Sequence, residues 1–87
     1  MRYVVILDGD AGGDAGAWLA RFGAVRVLPS AWILETADFA MAADVAQSLT
    51  DFCPTLRRTL VLLLPSDYSL SGEPIDQAAR ALMRELD

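Results

Sequence analysis

The 87-residue chain contains no histidine, no lysine and a single cysteine, Cys53. Without histidine, neither a Ser-His nor a Cys-His nucleophile pair can form within one chain. One cysteine excludes an intrachain disulfide, and the missing histidine removes the other usual ligand of a structural zinc site. Any chemistry must therefore use carboxylates, arginines, hydroxyls, backbone amides or a hard metal ion.

Positive charge is also scarce, because all seven basic residues are arginines and the formal net charge is −5. This balance argues against nonspecific nucleic-acid binding, which depends on neutralising phosphates. The apolar runs are too short to cross a bilayer, and Asp8 interrupts the first of them. We therefore expect no signal peptide, no membrane association and a cytoplasmic location.

The composition, 54% hydrophobic and 22% charged, predicts one folded domain spanning residues 1–87. The hydrophobic pattern predicts strands at residues 2–8 and 57–65, and a hairpin at 24–36 that turns near Pro29. It predicts helices at residues 14–22 and 37–50, and a last helix that starts near Pro74. This order is typical of an α+β, ferredoxin-like βαββαβ sandwich with an added C-terminal helix.

Helix termini follow from cap residues in the sequence. Asp14 is expected to cap the first helix and Gly23 to end it in a left-handed conformation, with Trp18 and Phe22 buried. Either Thr36 or Asp38 is expected to cap the second helix.

The predicted topology places the first and third strands side by side and parallel in the middle of the sheet. The second and fourth strands flank them, antiparallel. Strand ends and the starts of both long helices then meet at one edge of the sheet. Five polar residues are expected there: Asp8, Asp10, Glu35, Arg57 and Arg58.

Such a cluster suggests a Mg²⁺ or Mn²⁺ site, because hard cations take carboxylate oxygens. Asp8 is the candidate catalytic and metal-binding residue, and Arg57 and Arg58 are the candidates for holding a substrate phosphate. The alternative is an ion pair between Asp8 and one of these arginines, with Asp14 and Asp38 serving only as helix caps. The spacing of the residues leaves both interpretations open.

The uncovered face of the sheet predicts a partner. Both long helices lie on one face, although several strands are apolar on both faces. A second subunit or the C-terminal helix must cover the other face, and we expect a homodimer because the last helix is short for that task.

A strand that ends in aspartate, followed by a helix and the hairpin "GAVRVLPSAWILET", resembles the small CRISPR-associated Cas-two proteins over nearly the whole chain. The residues that carry the resemblance are Asp8, Gly23, Arg26, Val27, Ser30 and Trp32. The tail, residues 60–86, resembles the SinR-like branch of that superfamily, which closes with a short polar loop and a helix.

The resemblance implies a ferredoxin-like homodimer in which the strand-end aspartates of two subunits, Asp8 in each, face one another and hold one divalent metal. It implies a metal-dependent nuclease or a nucleic-acid-associated module of a CRISPR or defence system. The acidic charge, the absence of lysine and the helical tail depart from the Cas-two pattern. They favour the alternative of a non-catalytic dimeric interaction module, of a toxin–antitoxin-like or SinR-like kind. Either a nucleic acid or a protein is a possible partner.

Overall fold

A computed structural model describes residues 1–10 and 12–86. Ala11, in the glycine-rich loop, and Asp87 lie outside the described residues. The elements are β1 Arg2–Asp8, α1 Asp14–Arg21, β2 Val25–Leu28, β3 Ala31–Glu35, α2 Ala42–Phe52, β4 Arg58–Leu63 and α3 Gln77–Leu86. The predicted α+β class is confirmed, and the architecture is compatible with a ferredoxin-like fold.

The four strands form one sheet in the order β2-β3-β1-β4, and all neighbouring strands are antiparallel. The prediction that β1 and β3 run parallel is therefore wrong. The crossover through α1 returns the chain so that β2 runs like β1, and the tight turn at Pro29 then reverses it. As a result β3 opposes β1, with Arg2 facing Glu35 and Ile6 facing Ala31.

Strand β1 separates the two faces of the sheet by strict alternation. Tyr3, Val5 and Leu7 are buried on the face that α1 and α2 cover. The core on that face is completed by residues of both helices and of β3: Ala15, Trp18, Leu19, Trp32, Leu34, Val45, Leu49 and Cys53. The opposite face carries Val4 and Ile6.

Helix α1 ends as the sequence predicts but begins differently. Gly23 has φ +81°, and the N–H groups of Gly23 and Ala24 bond the carbonyls of Ala20 and Leu19, which forms a Schellman motif. At the start, the N-cap residue is Gly13 and not Asp14. The expectation that Phe22 is buried is also wrong, because Phe22 follows the last helical turn and is exposed.

Helix α2 begins at Ala42, five residues later than predicted. The Thr36 hydroxyl accepts a hydrogen bond from the Asp38 N–H at 3.0 Å, so this side chain organises a local turn and does not cap a helix. The capping carboxylate belongs to Asp44, which accepts from the Met41 N–H at 3.2 Å.

Helix α3 lies on the face of the sheet that α1 and α2 leave open, beside β2. Its residues Ala78, Ala81 and Leu82 share a groove with Val25 and Ile33 of that face. Ile33 is buried there, whereas the β1 and β4 part of the same face stays exposed. The C-terminal helix therefore covers one half of the open face. Among the described residues, none of the helices has the length and hydropathy that a membrane span needs.

Candidate functional site

Asp8 is the last residue of β1, and Arg58 is the first residue of β4. The two residues face each other across the antiparallel pair. The Arg58 guanidinium donates to the Asp8 carboxylate at 2.7 Å, with the Asp8 side chain 47% exposed and that of Arg58 80% exposed. The ion pair considered as the alternative to a metal site is therefore present within one chain.

Arg57 adjoins the same strand end through its backbone. Its N–H donates to the Asp8 carbonyl oxygen at 3.0 Å, one residue out of the register in which Asp8 faces Arg58. The aliphatic part of the side chain lies across Gly9, where an added Cβ would come within 2.9 Å of the Arg57 Cγ. Gly9 has φ +90°, so glycine suits this turn both sterically and conformationally. The turn that follows β1 at Gly9 therefore makes room for the aliphatic part of the Arg57 side chain.

Asp10 also lies at this end of the sheet, but its carboxylate is occupied. Its two oxygens accept the N–H groups of Ala15 and Gly16, each at 3.0 Å. These are otherwise unpaired donors of the first turn of α1, and a negative charge is favourable at that position. Asp10 is therefore the side chain that stabilises the start of α1, the role that the sequence assigned to Asp14.

Glu35 does not join this group, which corrects the predicted cluster. Because β3 is antiparallel to β1, Glu35 lies beside Arg2 at the other end of the sheet and accepts from the Arg2 Nε at 3.0 Å. This carboxylate raises the pKa of the Arg2 guanidinium above its usual range, chiefly through the hydrogen bond. The start of α2 lies at that other end for the same reason. Of the five predicted residues, the structure brings together Asp8, Asp10, Arg57 and Arg58.

At the Asp8 end, the carboxylates of Asp8 and Asp10 already have partners among the described residues. In the part of the chain that the structure describes, no three carboxylate, histidine or cysteine side chains converge. Asp8 is held by Arg58, and both oxygens of Asp10 are held by backbone amides. Mg²⁺ would need several oxygen ligands in addition to water.

A groove of about 690 Å³ lies next to this strand end, between α1, the β2–β3 hairpin and the start of α3. The sequence pattern did not reveal it, because its wall combines small residues of α1 with side chains distant along the chain. The Arg26 guanidinium lies 5.4 Å from the centre of the Trp32 ring and donates to the Pro29 carbonyl oxygen. These contacts rigidify the hairpin on one side of the groove.

The second distinctive surface is an apolar patch on the open face, which we call the open patch: Val4, Ile6, Leu60 and Leu62. Val4 faces Leu62 and Ile6 faces Leu60 across the β1–β4 pair. Ile6 is 38% exposed, Leu60 50% and Leu62 49%. The Asp8–Arg58 ion pair lies at one end of the patch and the Arg2–Glu35 ion pair at the other.

No family model, no curated protein and no solved structure matches this chain.

Proposed function

We propose that the chain is a non-catalytic homodimeric interaction module, built on a ferredoxin-like βαββαβ sandwich with an added C-terminal helix. The sheet order β2-β3-β1-β4, with α1 and α2 packed on one face, supports that description of the fold. The third helix is an addition on the opposite face, beside β2.

The observation that carries the proposal is the open patch. Three of its four residues are large, apolar and at least one-third exposed, and they adjoin one another on two paired strands. Contiguous apolar surface of this kind in a small protein is typical of an interaction site. A chain of 87 residues also has a small core of its own and gains stability from association.

The charge of the chain favours a protein as the further partner of this dimer. With a net charge of −5 and no lysine, the chain offers few cations for phosphate contacts. The resemblance to the SinR-like branch of the Cas-two-like superfamily supports the same class, a module of a defence or toxin–antitoxin-like system that acts in the cytoplasm. Asp8 has a structural part in this proposal, since its carboxylate joins the ends of β1 and β4.

A metal-dependent nuclease of the Cas-two kind is the second candidate, and one observation favours it. Asp8 lies at the border of the open patch and is about half exposed, so a second copy packed on this face about an axis near that end would bring two Asp8 side chains near each other. Two adjacent carboxylates favour a shared cation. Mg²⁺ or Mn²⁺ would then displace Arg58, which with Arg57 would be free to hold a phosphate.

Light scattering on matched variants tests the homodimer. The wild-type chain is expected to have twice the 9.4 kDa mass of one copy at micromolar concentration. Leu62→Lys introduces a charge into the open patch and is expected to give a monomer. Leu28→Lys is the control, because Leu28 is an exposed leucine of β2, outside the patch. A monomeric wild type, or equal masses for both variants, would contradict the proposal.

A further inference from the structure

Strand β4 is an edge of the sheet, and its outer side presents free main-chain groups. The Leu64 N–H donates to the Arg2 carbonyl oxygen at 2.8 Å, so Leu64 and the alternate residues before it direct their backbone groups toward β1. The backbone N–H and C=O groups of Thr59, Val61 and Leu63 must then point away from the sheet. Among residues 1–10 and 12–86, no strand pairs with this side of β4.

This edge lacks the features by which sheets normally prevent association. The segment "TLVLLL", residues 59–64, has no charged residue and no proline. Its register with β1 runs without a shift from Arg58 to Leu63, so no bulge interrupts it. Exposed, regular and apolar edges are sites where another strand adds.

The opposite edge of the same sheet, strand β2, is protected against pairing with another strand. Strand β2 carries Arg26 and has an irregular register between Arg26 and Leu28. Helix α3 also lies beside it. A charge, a bulge and a covering helix are the usual devices against edge pairing, and β4 has none of them between Thr59 and Leu64.

We propose that two copies of the chain join by antiparallel pairing of β4 with β4 of the partner subunit, with Val61 on the two-fold axis. This inference rests on the homodimer proposed above and gives its geometry. In this register Thr59 faces Leu63 of the partner subunit, and Val61 faces Val61 of the partner subunit. The backbone groups of Thr59, Val61 and Leu63 point outward, and in this register all three residues exchange N–H···O bonds with outward-pointing residues of the partner subunit. A register shifted by one residue would place outward-pointing residues opposite inward-pointing ones and would prevent these bonds.

The same register matches the side chains of the open patch. On that face, Leu60 lies opposite Leu62 of the partner subunit, and these closely spaced positions bring their apolar side chains into contact. The two open patches become one surface that crosses a continuous eight-stranded sheet. The interface therefore joins apolar contact with main-chain hydrogen bonds along the whole strand.

Stacking of the two open faces is the competing geometry, and it fits the surface less well. Stacking leaves the outward main-chain groups of β4 without a strand partner. Helix α3 and the Tyr68 side chain, whose hydroxyl lies 3.4 Å from the Arg2 guanidinium, border the patch. Close stacking would also desolvate the two ion pairs at its ends, which costs free energy.

Two cysteine variants in a Cys53→Ala background distinguish the geometries. Facing residues of a hydrogen-bonded antiparallel pair have Cα atoms about 5.5 Å apart, which suits a disulfide. Val61→Cys is therefore expected to form covalent dimers under mild oxidation. Leu60→Cys is the matched control, because in this register two Leu60 positions are about 8 Å apart, too far for a disulfide. We expect at least about tenfold faster crosslinking for Val61→Cys.

Amide exchange on the wild-type chain is a second measurement that needs no substitution. The N–H groups of Thr59, Val61 and Leu63 should become protected as the protein concentration rises. Crosslinking of Leu60→Cys but not of Val61→Cys would overturn the edge pairing while leaving the homodimer in place. A dimeric mass combined with fast exchange of these three amides would have the same meaning. A monomeric mass with no crosslinking would overturn both proposals. Equal crosslinking of both variants would indicate random collision and overturn the edge pairing.

Discussion

Asp8 and Arg58 face each other across the antiparallel pair of β1 and β4, and their side chains form an ion pair of 2.7 Å. They are fifty positions apart in the sequence, yet the pairing register alone places them side by side. The contact closes the end of the sheet where β1 turns into the glycine-rich loop. It gives the strand-end aspartate a structural explanation that requires no metal.

The first prediction concerns the stability contributed by this ion pair. Both side chains are substantially exposed, so Asp8→Asn should lower the free energy of unfolding by only about 0.5 kcal/mol. For a domain of this size that corresponds to a melting midpoint about 2–4 °C lower. Thermal melts should show this shift, with Asp67→Asn, an exposed loop position, as the control.

The same melts, repeated with millimolar Mn²⁺, test the metal. A wild-type midpoint that metal leaves unchanged is the expected result, since Arg58 occupies the carboxylate. A metal-dependent rise that is absent in Asp8→Asn would contradict the structural role and support a cation shared between two subunits.

A cleavage assay on single-stranded RNA and on duplex DNA, with Mg²⁺ and Mn²⁺, checks the nuclease candidate directly. We expect no cleavage above that of Asp8→Ala, because one carboxylate paired with arginine does not generate a metal-bound nucleophile. Cleavage that requires metal and disappears in Asp8→Ala would establish the second candidate. The double variant Arg57→Ala and Arg58→Ala would then show whether these arginines hold the phosphate.

Asp10 provides a prediction about the start of α1. Its carboxylate accepts two backbone N–H groups of the first turn, so Asp10→Ala should cost about 1 kcal/mol of stability. Asp14→Ala, the matched control, removes an exposed carboxylate that contributes only through the helix dipole, about 0.3 kcal/mol. Urea unfolding of both variants provides the comparison. A larger loss for Asp14→Ala would show that the sequence-based cap assignment was right.

Local signals in the sequence predicted most elements of this fold. The turn at Pro29, the left-handed end of α1 at Gly23 and the strand before Pro65 each depend on the conformational limits of one or two residues. The strand that ends at Asp8 depends on an uninterrupted apolar run. Such signals operate within a few residues, so a single sequence contains them.

The candidate site was only partly predictable, because it depends on strand direction. Placing Glu35 beside Asp8 required β3 to run parallel to β1, whereas the tight hairpin makes the two antiparallel. The pairing of Asp8 with Arg58 was one of two open alternatives, since charge type alone does not decide between a salt bridge and a metal ligand. The late start of α2 could not be read from cap residues either, because Thr36 forms a turn of its own.

Helix α3 gives the last prediction, because it covers the β2 half of the open face, away from the β4 edge at which we propose that the second copy pairs. Ala79 is its buried residue, and a large charged side chain cannot fit there without displacing the helix from β2. Ala79→Arg should therefore lower stability by about 1–3 kcal/mol and expose Val25 and Ile33, which raises the binding of an apolar dye. Gln77→Arg, two residues earlier on an exposed position, is the control and should change neither quantity. If α3 were only loosely attached, Ala79→Arg and Gln77→Arg would show the same stability and the same dye binding. The whole open face would then be accessible to a partner. A destabilised Ala79→Arg that still forms the dimer of the wild type would show that association does not depend on α3.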